Sequence, residues 1–223
     1  AEVWHVFKEG RPIWAGFDRG EFDDTTAWVF TTIDDDGVVW QWPVILVAEK
    51  GLRIKKANAP YETWIANGLV TVAPGEFVSD DIIIEKLSWM LETAYVYQIS
   101  YDPNDCKSLM GKIQGQHNVA TNKFPQFPTQ YNEPTKIFVR LIREHRYRHP
   151  MNGCFSWQVL NMVGKQETRS GYIMPHKDRT KTRQKKIDSG TAGIMSLGAA
   201  LMHETGRGGV MPAWACSPSD DQN

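Results

Sequence analysis

Three aspartates stand at the ends of predicted secondary-structure elements, where their carboxylates could bind metal ions. Asp18 ends the first predicted strand, Asp102 ends a later strand, and Asp188 lies in the first turn of the last predicted helix. Sites in α/β domains form at such strand ends and helix N-termini. Carboxylate oxygens suit Mg²⁺ or Mn²⁺, and two such ions about 4 Å apart can support phosphodiester hydrolysis. The pattern therefore predicts a metal site.

Each aspartate also has a simpler interpretation. Asp188 would interact favourably with the dipole of its helix, and Asp102, before Pro103, fits a turn. Asp18 could be a solvated loop residue. Spacing alone leaves both interpretations open.

The elements that would position the aspartates follow an alternating order. Three strands rich in β-branched and aromatic residues come first, at 13–17, 26–33 and 38–47. Short connections, one of them an Asp-Gly turn at residues 34–37, make these strands an antiparallel meander. Beyond them helices, including 134–144 and 187–203, alternate with strands such as 96–101. This order predicts an α/β domain whose mixed sheet, an antiparallel meander plus parallel strands, is flanked by helices.

The chain of 223 residues fits one sizeable domain with short extensions. We expect residues 1–12 to be a lead-in or linker and residues 13–205 to form the domain. Residues 206–223 are rich in Gly, Pro, Ser and Asp, which predicts a flexible tail.

Charge is distributed unevenly along the chain. Residues 1–105 carry 18 acidic and 8 basic side chains, whereas residues 136–186 carry 13 basic and 3 acidic ones. This asymmetry is typical of a surface that meets a polyanion beside a carboxylate-rich region that needs cations. A solvated basic face is the alternative.

Several classes of protein are disfavoured by absent motifs. No apolar run is long enough for a membrane span, and there is no signal-peptide pattern. The three cysteines, Cys106, Cys154 and Cys216, are far apart, which supports neither a disulfide framework nor a zinc site and fits a reducing, intracellular location. The chain has no phosphate-binding loop for an ATPase and no HExxH pair for a zinc hydrolase.

In combination, the motifs resemble the nuclease domain of tailed-phage terminase large subunits of the HK97-like type. The resemblance covers about residues 13–203 and rests on the order and spacing of several short motifs. These are Gly16-Phe17-Asp18 followed by Asp24-Thr25-Thr26-Ala27, Tyr61-x-x-Trp64-x-x-x-Gly68, Thr71-x-x-Pro74-Gly75, Tyr101-Asp102-Pro103, and Lys185-Lys186-Ile187-Asp188-x-x-x-Ala192, with further landmarks at residues 134–141, 146–149 and 157–161.

The resemblance implies an RNase H-like fold and an endonuclease that cuts concatemeric viral DNA during genome packaging. Asp18, Asp102 and Asp188 would be the catalytic residues and would bind two divalent ions, Mg²⁺ or Mn²⁺. Asp24 matches a family position to which no metal is assigned here. Lys185 and Lys186 would contact phosphates of the cleaved strand, and the basic stretch that includes Arg146 and Arg148 would guide the DNA duplex.

The family's proteins also imply partners. A packaging ATPase precedes the nuclease, and it is absent from this sequence. In the full-length protein we expect that ATPase, the small terminase subunit and the portal as partners, with double-stranded DNA as substrate and no membrane. The expected location is the host cell cytoplasm, transiently at the procapsid portal.

Two alternative functions stay open at this point. An RNase H-like resolvase or transposase would use the same metal chemistry on branched DNA or DNA ends. A non-catalytic module that docks DNA or the portal would keep the fold and leave the aspartates inert.

Overall fold

The computed structural model describes residues 2–20, 24–55, 59–104, 106–177, 185–206 and 215. Its helices are α1 (Glu2–Lys8), α2 (Glu49–Lys55), α3 (Tyr61–Ala66), α4 (Asp80–Thr93), α5 (Lys107–His117), α6 (Pro128–Arg143), α7 (Gly153–Leu160) and α8 (Asp188–Gly206). Its strands are β1 (Ile13–Asp18), β2 (Thr26–Ile33), β3 (Val39–Ala48), β4 (Thr71–Ala73), β5 (Val96–Tyr101), β6 (Ala120–Lys123), β7 (Tyr147–Arg148), β8 (Met162–Gln166) and β9 (Ile173–Lys177).

The main sheet has seven strands, six of them in the order β4-β3-β2-β1-β5-β6, with β7 paired to β3. β1, β2 and β3 form the predicted antiparallel meander. β5 lies parallel to β1, and β6 lies parallel to β5. β8 and β9 form a separate two-stranded antiparallel sheet, the β8–β9 hairpin. The predicted mixed α/β sheet is confirmed.

The turn between β2 and β3 follows from its sequence. The Asp34 carboxylate accepts hydrogen bonds from the backbone N–H groups of Asp36 at 3.0 Å and Val38 at 2.9 Å. Gly37 has a φ of 72°, a left-handed conformation that glycine adopts at little cost. These contacts reverse the chain and fix the register of the meander.

Apolar residues on both faces of the sheet form two cores. One core joins the sheet to α3, α6, α7 and α8, with Phe124, Phe138 and Met195 among its buried residues. The other joins the opposite face to α1, α4 and α5, with Leu87 and Ile113 buried. Because β1 is covered on both faces, its residues from 13 to 17 form one continuous buried run.

Helix α6 begins earlier than the sequence predicts. A proline is favourable in the first helical turn, which suggested a start at Pro134, but the helix begins at Pro128. Pro134 lies inside it, where it lacks an N–H for one backbone hydrogen bond. Tyr131, Ile137 and Leu141 are buried on both sides of Pro134, and this packing keeps the helix continuous.

Both ends of the chain contribute to the packed structure. In the expected lead-in, α1 packs on the sheet through Phe7, which is fully buried, and Trp4 stacks on Trp89 with ring centroids 4.7 Å apart. The expected tail lies outside the described residues except for Gly206 at the end of α8 and Ala215, which is buried. The domain boundaries stay a prediction. No described helix is both long and apolar enough to span a lipid bilayer.

Helix α8 lies directly on β1 because small residues meet at the contact. A Cβ atom added to Gly16 would come within 1.9 Å of the Ala192 carbonyl oxygen, a distance at which the backbone must shift. Every residue from Asp188 to Ala200 is buried, between the sheet on one side and α6 and α7 on the other.

We expect Gly16→Ala to lower the free energy of unfolding by about 1–3 kcal/mol or more, because the new methyl group meets backbone that cannot move alone. Urea denaturation followed by circular dichroism measures the effect. Gly111→Ala is the matched control, since its Cβ would meet nothing within 4 Å in helix α5. That change should stabilise the protein by about 0.5–1 kcal/mol. Equal stability of parent and Gly16→Ala would contradict the close contact.

Candidate active site at the carboxyl end of β1

The three predicted aspartates meet at one edge of the sheet. Phe17 of β1 pairs with Tyr101 of β5 in parallel register, so the residues that follow them, Asp18 and Asp102, are neighbours. Asp188 is the first residue of α8, which packs across both strands. All three line one cleft of about 410 Å³. Its other lining residues are Arg19, Gly20, Asp24, Gln126, Pro175, Lys177, Ile187 and Thr191.

Asp188 is held on one side by Thr25, the residue before β2. One carboxylate oxygen, Oδ2, accepts hydrogen bonds from the Thr25 backbone N–H at 3.0 Å and from its hydroxyl at 2.5 Å. The other oxygen, Oδ1, lies 3.6 Å from the Lys177 ammonium nitrogen. The two oxygens of this buried carboxylate therefore have different surroundings.

Asp102 is fixed by its own turn. Its Oδ1 atom accepts a hydrogen bond from the Asn104 backbone N–H at 3.1 Å, a local turn that the sequence Asp-Pro-Asn favours. The side chain is half-buried at the rim of the cleft.

Two lysines bring positive charge to the carboxylates. Lys177, at the end of β9, lies 3.1 Å from Oδ1 of Asp24, and Lys186, just before α8, lies 2.5 Å from the same oxygen. Asp24 thus forms ion pairs with two ammonium groups, which distinguishes it from Asp18 and Asp102. The β8–β9 hairpin supplies Lys177 from outside the main sheet.

The acidic groups strongly affect one another's ionisation. The pKa of Asp18 is raised well above its ordinary value by burial and by the charges of Asp188 and Asp102, although Lys177 acts in the opposite direction. Burial also raises the pKa of Asp188, against the lowering effects of Lys177 and the Thr25 hydrogen bonds. These carboxylates are therefore short of nearby positive charge.

The pKa of Asp24 shifts the other way. Burial alone would raise it, but the hydrogen bond from Lys186 and the charges of both lysines lower the pKa below its ordinary value. The pKa of Lys177 is raised, because the attraction of Asp188 and Asp24 outweighs its burial. Asp24 and Lys177 are thus both held in their charged forms.

The donor set fits a hard divalent cation. Its ligating atoms are carboxylate oxygens, and Lys177 already provides one positive charge among them. Among the described residues, no three acidic, histidine or cysteine side chains already surround a common ion position. Cation binding at this cleft would therefore require the carboxylates to adjust.

Of the four basic residues predicted to contact DNA, two lie near the cleft. Lys185 and Lys186 directly precede Ile187 and Asp188, which line it. Lys186 is engaged by Asp24, and it is buried. Lys185 is half-buried.

Arg146 and Arg148 lie at the opposite end of the strands from the cleft, where β3 begins. β7, which contains Arg148, pairs with the first residues of β3, beside Ile33 at the end of β2. Asp18 instead pairs with Ala27, six residues away along β2, which is about 20 Å. Backbone contacts of Arg146 with Val39 and of Arg148 with Trp40 hold both arginines there, away from the cleft.

Three residues of the site were not singled out from the sequence. Thr25 and Gln158 lie within quoted motifs but carried no assigned role, and Lys177 lay in the general basic stretch. Thr25 and Lys177 contact Asp188, and Gln158 accepts a hydrogen bond from the Ser189 backbone N–H beside it. Only these contacts between distant segments reveal the three positions, because no local pattern marks them.

The chain is similar to known proteins in both sequence and structure. A family model described as the terminase large subunit, endonuclease domain, matches residues 6–204. The terminase large subunit of Enterobacteria phage HK97 is 24% identical over 215 residues, covering 93% of this chain and 42% of that protein. The crystal structure of the HK97 large terminase gives a TM-score of 0.75 at 24% identity, over 89% of this chain and 42% of that chain.

Two more distant structures contain metal ions. The large terminase nuclease of thermophilic phage G20c with bound magnesium has a TM-score of 0.54 at 9% identity, covering 86% of this chain and 83% of its own. The large terminase nuclease domain of bacteriophage SPP1 with bound Mn has a TM-score of 0.50 at 11% identity, covering 89% and 90%. At such identities the likeness concerns the fold alone, which is RNase H-like.

We expect Asp18→Asn to stabilise the metal-free protein at pH 7. The raised pKa of Asp18 means that the folded chain binds a proton there more tightly than the unfolded chain. Ionised Asp18 therefore destabilises the fold above the ordinary aspartate pKa of about 4. Asparagine removes this effect, so the gain should vanish below about pH 4, where Asp18 is protonated in both states.

Urea denaturation in EDTA at pH 7 and at pH 3 measures this difference. Asp36→Asn, in the exposed turn between β2 and β3, is the control and should change the urea midpoint little at either pH. A lower midpoint for Asp18→Asn at pH 7 would mean that attraction to Lys177 outweighs repulsion among the aspartates.

Proposed function

The chain belongs to the family of terminase large subunit endonuclease domains, and we propose that it hydrolyses phosphodiester bonds of double-stranded DNA with divalent metal ions. The supporting observation is that Asp18, Asp102 and Asp188 line one cleft at the carboxyl end of β1 and β5. Active sites of α/β sheets form at this edge. The family assignment favours a packaging nuclease over a resolvase or transposase.

We propose that Asp18, Asp102 and Asp188 are the catalytic residues and hold two ions, Mg²⁺ or Mn²⁺. Their oxygen ligands and the metals bound in the G20c and SPP1 nucleases support this assignment. Two bound ions would activate a water molecule and stabilise the leaving oxygen of the cleaved strand. The positive charge would also oppose the effects of burial and of neighbouring carboxylates, which raise the pKa values of Asp18 and Asp188.

The lysines have a separate role in this proposal. Lys185 and Lys186 precede α8 and would contact phosphates of the DNA strand at the cleft. Lys186 is oriented by its ion pair with Asp24. The lowered pKa of Asp24 keeps the Asp24 carboxylate charged. Asp24 thus acts on the lysines and is not assigned a metal. Such contacts position DNA without reading its sequence.

The biological role extends beyond this chain, which spans less than half the length of the HK97 protein that it matches. In a full-length protein, residues 1–12 would connect residues 13–205 to a packaging ATPase. The nuclease would cut concatemeric viral DNA in the host cell cytoplasm, at the procapsid portal. The small terminase subunit and the portal would be its other partners.

The proposed activity is tested by plasmid cleavage with the purified chain in Mg²⁺, Mn²⁺, Ca²⁺ or EDTA. We expect nicking and linear product with Mg²⁺ or Mn²⁺, and none in EDTA. Asp102→Ala and Asp188→Ala should each abolish cleavage and retain DNA binding, because they remove metal ligands and no DNA-binding cation. Cleavage by Asp102→Ala at the parent rate would contradict the proposal. Unchanged DNA binding with no cleavage by any variant, parent included, would favour the docking module.

DNA binding should depend on salt through the lysines near the cleft. We expect Lys185→Ala to weaken binding and to reduce the slope of log affinity against log salt by about one, since one phosphate contact is lost. Fluorescence anisotropy of a labelled duplex in EDTA measures the slope. Arg148→Ala is the control at the opposite edge of the sheet and should leave the slope unchanged. The reverse result would place the DNA path on the β7 edge.

A further inference from the structure

A chain of buried hydrogen bonds connects Asp188 to helix α7. The Thr25 hydroxyl donates to Oδ2 of Asp188 at 2.5 Å, and the Gln158 amide nitrogen donates to the Thr25 hydroxyl oxygen at 3.1 Å. The Gln158 amide oxygen accepts the backbone N–H of Ser189 at 2.8 Å. Thr25, Gln158 and Ser189 are fully buried. Three segments that are distant in the sequence thus meet at the first turn of α8.

The Ser189 end of this series of hydrogen bonds determines the direction of each bond in it. The Ser189 backbone N–H can only donate, so the group of Gln158 that faces it is the amide oxygen. The amide nitrogen then faces Thr25 and donates to its hydroxyl oxygen. Because the Thr25 hydroxyl oxygen accepts this hydrogen bond, its hydrogen atom points at Asp188. Gln158 therefore controls the orientation of the Thr25 hydroxyl group, although Gln158 itself does not line the cleft.

This series of hydrogen bonds also determines which carboxylate oxygen of Asp188 can face the cleft. Oδ2 accepts two hydrogen bonds from Thr25, so it is held against the protein. Oδ1 accepts none of them and faces the Lys177 ammonium group. The Ser189 N–H is one of the groups at a helix start that has no partner within the helix, and Gln158 satisfies it, which anchors the turn that carries Asp188.

We propose that Thr25 and Gln158 are positioning residues that hold Asp188 with Oδ1 directed into the cleft, where it serves as a metal ligand. This inference rests on the proposed function. Partners that orient metal-binding side chains typically contribute about 10- to 100-fold to metal affinity. A purely structural role for the two residues would instead stabilise the fold without affecting metal binding.

The structure offers a matched pair of hydrogen bonds for separating these roles. Thr31, on β2, contacts the Ser196 hydroxyl of α8 at 2.5 Å and accepts a hydrogen bond from Gln41 at 2.9 Å. All three side chains are fully buried. This second network also joins the sheet to α8, but Ser196 lies eight residues beyond Asp188, about 12 Å along the helix.

The experiment measures Mn²⁺ binding from the loss of the free-ion signal in electron paramagnetic resonance, without DNA. Thr25→Val keeps the shape of the side chain and removes its hydroxyl, and we expect it to weaken Mn²⁺ binding about 10- to 100-fold. Thr25→Ser restores a hydroxyl and should recover most of the affinity. Gln158→Met should weaken binding in the same direction, and it carries the test if Thr25→Val does not fold. Thr31→Val should bind Mn²⁺ as the parent does.

The possible results are distinct. Parent-like Mn²⁺ affinity in Thr25→Val and Gln158→Met would overturn the positioning role while leaving the metal site intact. An equal loss in Thr31→Val would overturn it as well, because the effect would then come from weaker packing of α8. A parent chain that binds no Mn²⁺, or an Asp188→Ala variant that binds it equally well, would overturn the proposed metal site and the positioning role together.

Discussion

The contact between α8 and β1 is the constraint on which the site depends. Only a residue without a side chain at position 16 lets the helix backbone approach the strand, and this approach places the first turn of α8 over the end of β1. Asp188 reaches Asp18 for that reason. The motif Gly16-Phe17-Asp18 therefore combines a packing requirement with a carboxylate, two residues apart on one strand.

The same packing concentrates negative charge where water is scarce. Burial raises the pKa values of Asp18 and Asp188, and neighbouring carboxylates add to the effect. Positive charge from Lys177 lowers both pKa values, and hydrogen bonds from Thr25 lower that of Asp188. Asp24 has the opposite balance, since two lysines outweigh its burial. Neighbouring aspartates thus have different chemistry because of their contacts, which agrees with separate roles in binding cations and in holding lysines.

The sequence was sufficient to predict the meander, the α/β order and the meeting of three aspartates. The first two rest on local patterns, namely the order of strands and helices and an Asp-Gly turn. The third rests on acids at element ends together with the family resemblance, because the spacing of the aspartates alone left other interpretations open. The locations of Arg146 and Arg148 were not predictable, because charge along a sequence does not reveal which edge of the sheet a strand such as β7 will join. Gln158 and Lys177 were missed for a related reason, since folding of distant segments brings Gln158 to Ser189 and Lys177 to Asp188. The early start of α6 shows apolar packing overriding the effect of an internal proline.

The β8–β9 hairpin forms its own small sheet, apart from the seven-stranded one that carries Asp18. The carboxylates of the cleft therefore belong to the central scaffold, whereas Lys177 belongs to a peripheral unit. Replacing Lys177 would therefore change the positive charge at the cleft without changing the strand pairing of the main sheet. A designer who wished to retune the cleft would graft hairpins and leave the scaffold untouched.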